Sequence, residues 1–269
     1  EATVLENVGT GHHAIGLYGG AFDRVALADM TVRSRNGGNA FYANEGFSAS
    51  GWLVERVIFE GEAEAAFNTV HLIHEAGPDG LGGSFSAHWT WVDCEFRSSP
   101  RMGIEIQNHR HDDAQDQTVS GYTRHLFVRP RIENIGGATA VPGFGMSLRG
   151  RGSGICVIDP FFRNVSAALI ELIGVSDVYA RNVMFVPETV AGTDALVRGS
   201  NAIPMRNITI DGLFPVTDEG DGLTGAEQVV PRPALRFDNV TDLLLDRILV
   251  PLVDYDEPGG AYMVRAVRL

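Results

Sequence analysis

One eight-residue pattern recurs along the chain and leaves few folds open to it. It runs apolar, any, apolar, any, turn residue, apolar, any, apolar. It reads VALADMTV at Val25–Val32, WLVERVIF at Trp52–Phe59 and WTWVDCEF at Trp89–Phe96. It returns as ICVIDPFF at Ile155–Phe162, VYARNVMF at Val178–Phe185, ITIDGLFP at Ile208–Pro215 and LLLDRILV at Leu243–Val250. A weaker copy, HLFVRPRI, spans His125–Ile132, and a partial one, TVLENVGT, spans Thr3–Thr10. Successive starts are 22 to 37 residues apart. Period-two alternation on each side of the fifth residue marks two strands that meet at a one-residue corner. The corners are Asp29, Arg56, Asp93, Arg129, Asp159, Asn182, Gly212 and Arg247. Asp, Asn and Gly tolerate the left-handed backbone such a corner requires; the three arginines are less expected.

A second short strand precedes each full copy: Ala14–Leu17, Ala40–Ala43, Val70–Leu72, Gly103–Gln107, Gly145–Leu148, Ile170–Leu172, Ala195–Val197 and Ala234–Phe237. Three short strands per period, with no helical periodicity, describe a β-solenoid. A β-sandwich would show longer strands and paired hairpin turns instead. The 32 glycines suit a chain of many turns. Cys94 and Cys156 read as packing residues, without a disulfide framework or metal spacing.

GIEIQN at Gly103–Asn108 and strand-corner-strand units such as Val178–Phe185 resemble the right-handed parallel β-helix superfamily, the pectate-lyase-like and phage-tailspike-like proteins. The resemblance covers nearly all of the chain. It implies an all-β fold, a single right-handed parallel β-helix over residues 1–269 of about eight to nine coils. It also implies an extracellular or virion-surface protein that acts on polysaccharide, and a homotrimer as in tailspikes. No capping helix is legible at either end, so the expectation is a piece of a longer chain or ends covered by a partner.

Charge narrows the function. The net charge of -13 argues against nucleic acid and anionic membranes as partners. No apolar run approaches the roughly 20 residues of a membrane span, and the start, EATVLENVGT, lacks the pattern of a signal peptide. All 21 basic residues are Arg, which excludes Lys chemistry and leaves Arg or His as the cationic groups of any site.

Coils stack at about 4.8 Å, so aligned first strands predict columns of side chains. One column reads Gly16, Tyr42, His71, Glu105, Ser147, Glu171, Leu196, Arg236; its neighbour reads Tyr18, Asn44, Ile73, Gln107, Arg149, Ile173, Arg198, Asp238. After two consecutive first strands the turn expands, to His74–His88 and Asn108–Arg124. Six of the eight histidines fall between His71 and His125. Such loops beside a polar column suggest a groove for a linear polymer.

Glu105 is the first candidate for a catalytic carboxylate, with Glu171 or Asp112 as partner. Two coils separate Glu105 and Glu171 by roughly 9 to 10 Å, within reach of the spacing used in inverting glycoside hydrolysis. A lyase would use His71 or His109 as base, with Arg149 or Arg110 neutralising a uronate carboxylate. Gln107, Tyr42 and Asn44 complete the expected substrate-binding set. Hydrolase, lyase and epimerase all remain open, and so does a non-enzymatic carbohydrate-binding or structural β-helix. No cofactor is expected. Zinc lacks its spacing, and calcium on Asp112, Asp113 and Asp116 competes with a solvated acidic loop. Tyr18, Tyr42 and Trp89 are candidates for stacking on sugars, but Trp52, Trp89 and Trp91 align with inward positions. Asn164, Asn207 and Asn239 match the glycosylation pattern in turns where Asn is expected anyway.

Overall fold

A computed structural model describes residues 3–7, 9, 11–35, 37–44, 46–61, 68–74, 84–108, 121–136, 143–186, 195–199, 204–216, 235–253, 258–264 and 267–268. Among the described residues the regular structure is entirely strand. Eight short strands form one sheet: Ile15–Tyr18, Phe41–Asn44, Val70–Ile73, Met102–Gln107, Phe144–Arg149, Ile170–Ile173, Val197–Gly199 and Leu235–Phe237. Each pairs parallel with the next in chain order. Parallel neighbours need a crossover. Here strands of a second sheet supply it, so the chain winds as a parallel β-helix.

The second, larger sheet contains the eight-residue units. Its ladders run on round the corners, as in Ser176–Phe185 against Met205–Pro215, which pair on both sides of the corner. Every expected corner is left-handed: φ lies between 49° and 55° at the seven non-glycine positions and is 101° at Gly212. The arginine corners have a local cause. Arg56 forks onto Asp29 at 2.6 and 2.8 Å, and Arg129 forks onto Asp93 at 2.6 and 2.8 Å. Each arginine thus grips the aspartate corner of the coil before it, and holds that carboxyl below the usual carboxylate range. Arg247 instead reaches Asp211, at 2.7 Å.

A second left-handed column escaped the eight-residue reading: Arg24, Gly51, His88, Arg124, Gly154, Asp177, Asn207 and Asp242. It marks another corner, before the repeat begins. Consequently the two expanded turns are shorter than expected. Phe85–Ala87 and Gly121–Thr123 are strands of the larger sheet, paired with each other, and Phe85–Ala87 also pairs with Ser48–Ser50. Asn164, Asn207 and Asn239 are left-handed turn residues, which accounts for their identity.

The core lies between the two sheets. Trp89 and Trp91 are fully buried and Trp52 nearly so. Trp52 and Trp89 stack with centroids 4.6 Å apart and planes within 5°, close to the spacing of coils. Trp91 on Phe127 and Phe59 on Phe96 continue the pattern at 5.6 and 5.4 Å. Cys94 packs in this core as a free thiol, and burial pushes its pKa up to about 11.

Two expected first strands are corrected. Ala195–Val197 is displaced: the strand is Val197–Gly199, and Arg198 sits beside Glu171 where Leu196 was expected. Ala195 and Leu196 are consumed in the buried turn before the strand. By its sequence the chain also reads as closing on a first strand, Ala261–Arg265, and that expectation is not met. Pro258–Val264 runs antiparallel along Val240–Val253 and covers part of that strand's edge.

Candidate active site

The outer face of the smaller sheet gathers the predicted polar column. Gly16, Tyr42, His71, Glu105, Ser147 and Glu171 follow one another in register on successive strands. Gln107 and Arg149 pair in the neighbouring column. Strand alternation points these side chains away from Ile104, Ile106, Met146 and Leu148, which fill the core. Gly103 and Gly145 let the strands meet closely. A β-carbon at Gly103 would lie 2.6 Å from the Gly145 carbonyl oxygen.

Glu105 and Glu171 have no exposed surface, although they lie on the outer face. Glu105 Oε2 accepts from Asn68 Nδ2 at 2.5 Å and lies 3.2 Å from His71 Nε2. Its Oε1 accepts no hydrogen bond among the described residues, with Arg101 Nη2 at 3.7 Å and Arg149 Nη1 at 3.8 Å. Glu171 Oε2 accepts from Ser147 Oγ at 2.5 Å and lies 3.2 Å from Arg149 Nε. Its Oε1 accepts from Arg198 Nε at 3.0 Å. Arg149 therefore bridges the two carboxylates. The guanidinium side chains of Arg101, Arg149 and Arg198 are 33, 31 and 24% exposed. They form the solvent side of a network whose carboxylates lie behind.

His71 Nε2 is 2.6 Å from the side-chain amide nitrogen of Gln107. With that amide donating, Nε2 accepts and the imidazole proton sits on Nδ1. With the amide turned over, Nε2–H donates to oxygen instead. The Gln107 orientation thus sets the tautomer of His71. Further along the face, Tyr42 meets His71 edge-on at 5.7 Å, stacks on His13 at 4.1 Å, and receives a hydrogen bond on its hydroxyl from Asn44 Nδ2 at 3.0 Å. Tyr18 is half exposed beside Tyr42. Burial, aided by His12, lowers the His13 pKa.

Of the predicted residues, His71, Glu105, Gln107, Arg149 and Glu171 come together in one network, with Tyr42 and Asn44 beside it. His109, Arg110 and Asp112, with the calcium candidates Asp113 and Asp116, lie outside the described residues. Among the described residues no cluster has the donor set for a metal. Asn68, Arg101 and Arg198 were missed or displaced. Asn68 and Arg101 sit in turns before their strands, where alternation gives no signal. Arg198 was placed beside Ile173 in the neighbouring column, and the two-residue slip brings it beside Glu171.

The histidine cluster of the sequence is not one site. His74 and His125 are buried inside the helix, on either side of Ser86, whose Oγ is 2.8 Å from His74 Nε2 and 2.9 Å from His125 Nε2. His74 Nδ1 is 3.3 Å from the Gln107 carbonyl oxygen. A donor at His74 Nδ1 makes its Nε2 an acceptor for the Ser86 hydroxyl, which then accepts from His125 Nε2–H. That leaves His125 Nδ1 unprotonated, and it has no partner among the described residues. Desolvation lowers both histidines to about 3. His88 is a left-handed corner residue near Arg124.

No protein-family model matches the chain, and neither does any curated protein. A structure search finds similarity to the A-module of the Azotobacter vinelandii mannuronan C-5 epimerase AlgE4. The two are 10% identical, with a TM-score of 0.25, over 91% of this chain and 83% of that one. The strand pairing described above makes this chain a parallel β-helix.

Proposed function

We propose that the outer face of the smaller sheet binds a linear acidic polysaccharide and cleaves it by proton abstraction next to a uronate carboxylate. The observation that carries this reading is the layer of part-exposed guanidinium groups from Arg101, Arg149 and Arg198 on a chain of net charge -13. A cationic strip on an acidic protein selects an anionic ligand and orients it. Glu105 and Glu171 hold that strip in place. Having no exposed surface, they are poorly placed to reach a glycosidic oxygen, which favours a lyase over a hydrolase.

In this reading His71 takes the proton from the carbon beside the carboxylate. Arg149 and Arg101 stabilise the charge that develops on the carboxylate oxygens. The glycosidic C–O bond then breaks, a carbon–carbon double bond forms, and the departing oxygen takes up a proton. Tyr42 and Tyr18 meet the faces of neighbouring sugars, while Gln107 and Asn44 bond hydroxyls. Such polymers occur outside cells, so an extracellular or virion-surface location goes with the reading.

That every guanidinium of the strip is held by a buried carboxylate favours a second reading, a binder without turnover. A screen of acidic and neutral polysaccharides, following new reducing ends and the ultraviolet absorbance of unsaturated uronates together, separates the two. Both signals, lost in Arg149→Ala, are expected. Reducing ends without absorbance would mean hydrolysis, and a changed uronate composition with neither signal would mean epimerisation. Retention on a polysaccharide gel with no chemical change would leave the binder.

A further inference from the structure

A second trough lies on the larger sheet, lined by none of the residues of the smaller-sheet site. One cavity of about 380 Å³ extends from Asp93 and Arg129 to Phe161 and Met184. Another of about 410 Å³ is lined by Asp159, Asn182, Met184, Phe214 and Val216. They share Asp159 and Met184, so they form one depression along the stack of coils. The register explains its lining. Arg131, Phe161, Met184 and Phe214 are successive partners just after the corner, and Arg129, Asp159 and Asn182 are the corners themselves.

The occupant is constrained by what the lining offers. The charges of the walls are matched there or by the residues next to them: Asp93 with Arg129, Glu95 with Arg97 at 3.3 Å, Arg131 with Glu133 at 2.6 Å, and Asp159 with Asn182 Nδ2 at 2.8 Å and Arg181 at 3.9 Å. No net charge is left for a ligand to neutralise. Each carboxylate, amide and guanidinium retains unused hydrogen-bonding positions. The floor is apolar. Phe161 is already covered by the Arg131 guanidinium at 4.4 Å, whereas Met184 and Phe214 keep part of their surface. The strands beneath are paired with their neighbours, so no backbone edge is offered for strand addition. An extended peptide repeats each face every ~6.8 Å, out of step with polar groups recurring every ~4.8 Å.

We propose that this trough binds a neutral oligosaccharide, with C–H faces of the sugar rings on Met184 and Phe214 and hydroxyls on Arg129, Asp159 and Asn182. Hydroxyls both donate and accept, are uncharged, and recur along a glycan beside apolar ring faces. The inference does not depend on chemistry at the smaller sheet.

The test is calorimetric titration of the whole chain with neutral hexasaccharides of glucose, galactose, mannose, xylose and N-acetylglucosamine. At least one series is expected to bind. Phe214→Ala and Asp159→Asn should each weaken it about tenfold or more, and Arg149→Ala should change it less than about twofold. Asp159→Asn preserves size, and thermal melts confirm that each variant is folded. Absence of binding by every neutral series would overturn the proposal. So would binding that survives both trough variants, or binding that Arg149→Ala removes.

Discussion

At the scale of residues, Glu105 is a buried anion before it is anything else. Asn68, His71, Arg101 and Arg149 all converge on it. Removing one member of a buried ionic network leaves the others uncompensated, a loss of about 3–5 kcal/mol. Glu105→Ala should therefore lower the unfolding free energy, read from urea melts, by that amount. Glu105→Gln should cost less, because an amide oxygen still accepts from Asn68. A Glu105→Ala protein of unchanged stability would show that the network does not hold the face together. His74 and His125 give a pH dependence of defined sign. Each is held near 3 in the fold against 6.5 as the ordinary value, so the unfolded chain binds the extra protons. Their stability contribution is complete above the unfolded value and is lost as pH falls towards 3. The pair should give a slope of up to about 2.7 kcal/mol per pH unit in that window. His125→Phe should reduce the slope by about half, read from urea melts across the acid range.

At the scale of elements, the one-residue corner and the short first strand behave differently. Corners tolerate Asp, Asn, Gly and even Arg, because the coil before can supply a partner for the side chain, as Asp93 does for Arg129. The first strands tolerate less where they start. Gly103 faces the Gly145 carbonyl, and Gly145 faces the Leu169 carbonyl, both at 2.6 Å from an added β-carbon. Backbone cannot yield as a side-chain tip can. Gly103→Ala should thus destabilise by about 1–3 kcal/mol, as overpacking does elsewhere. It should also disturb Glu105, two residues along, so the polysaccharide retention proposed above should fall with it. A neutral Gly103→Ala would mean that the strands separate freely at that end.

Across the whole molecule, stability is carried from coil to coil. Trp89 lies between Trp52 and His125, at 4.6 and 5.7 Å, and so joins three successive coils. Trp89→Ala should cost about 3–5 kcal/mol. Hydrogen exchange should rise first in Leu53–Glu60, Thr90–Val92 and Leu126–Val128, the strands that carry or adjoin that stack. Uniform loss of protection along the chain would indicate a single cooperative core instead. The same coil-to-coil stacking gives two unlike faces: a strip of arginines over buried acids on the smaller sheet, and a charge-balanced trough on the larger.

Alternation and a recurring corner were sufficient to read the fold, every left-handed residue of the eight-residue unit, the inward tryptophans and the order from Gly16 to Glu171. They are local properties, because side-chain direction in a strand follows parity and a tight corner admits few residues. Parity was blind to everything in the turns. It missed the second column of corners from Arg24 to Asp242, and it missed Asn68 and Arg101. It also placed Arg198 one column over, beside Ile173 instead of Glu171, since a slip of two residues keeps the face but changes the neighbour. Nor did a cluster of histidines along the chain reveal that His71 faces outward while His74, three residues on, turns into the core. Those placements, and the burial that makes Glu105 and Glu171 a support for the arginine strip, were decided by tertiary structure. Distances between coils depend on how each turn spends its residues, and burial depends on what neighbouring coils lay over a side chain.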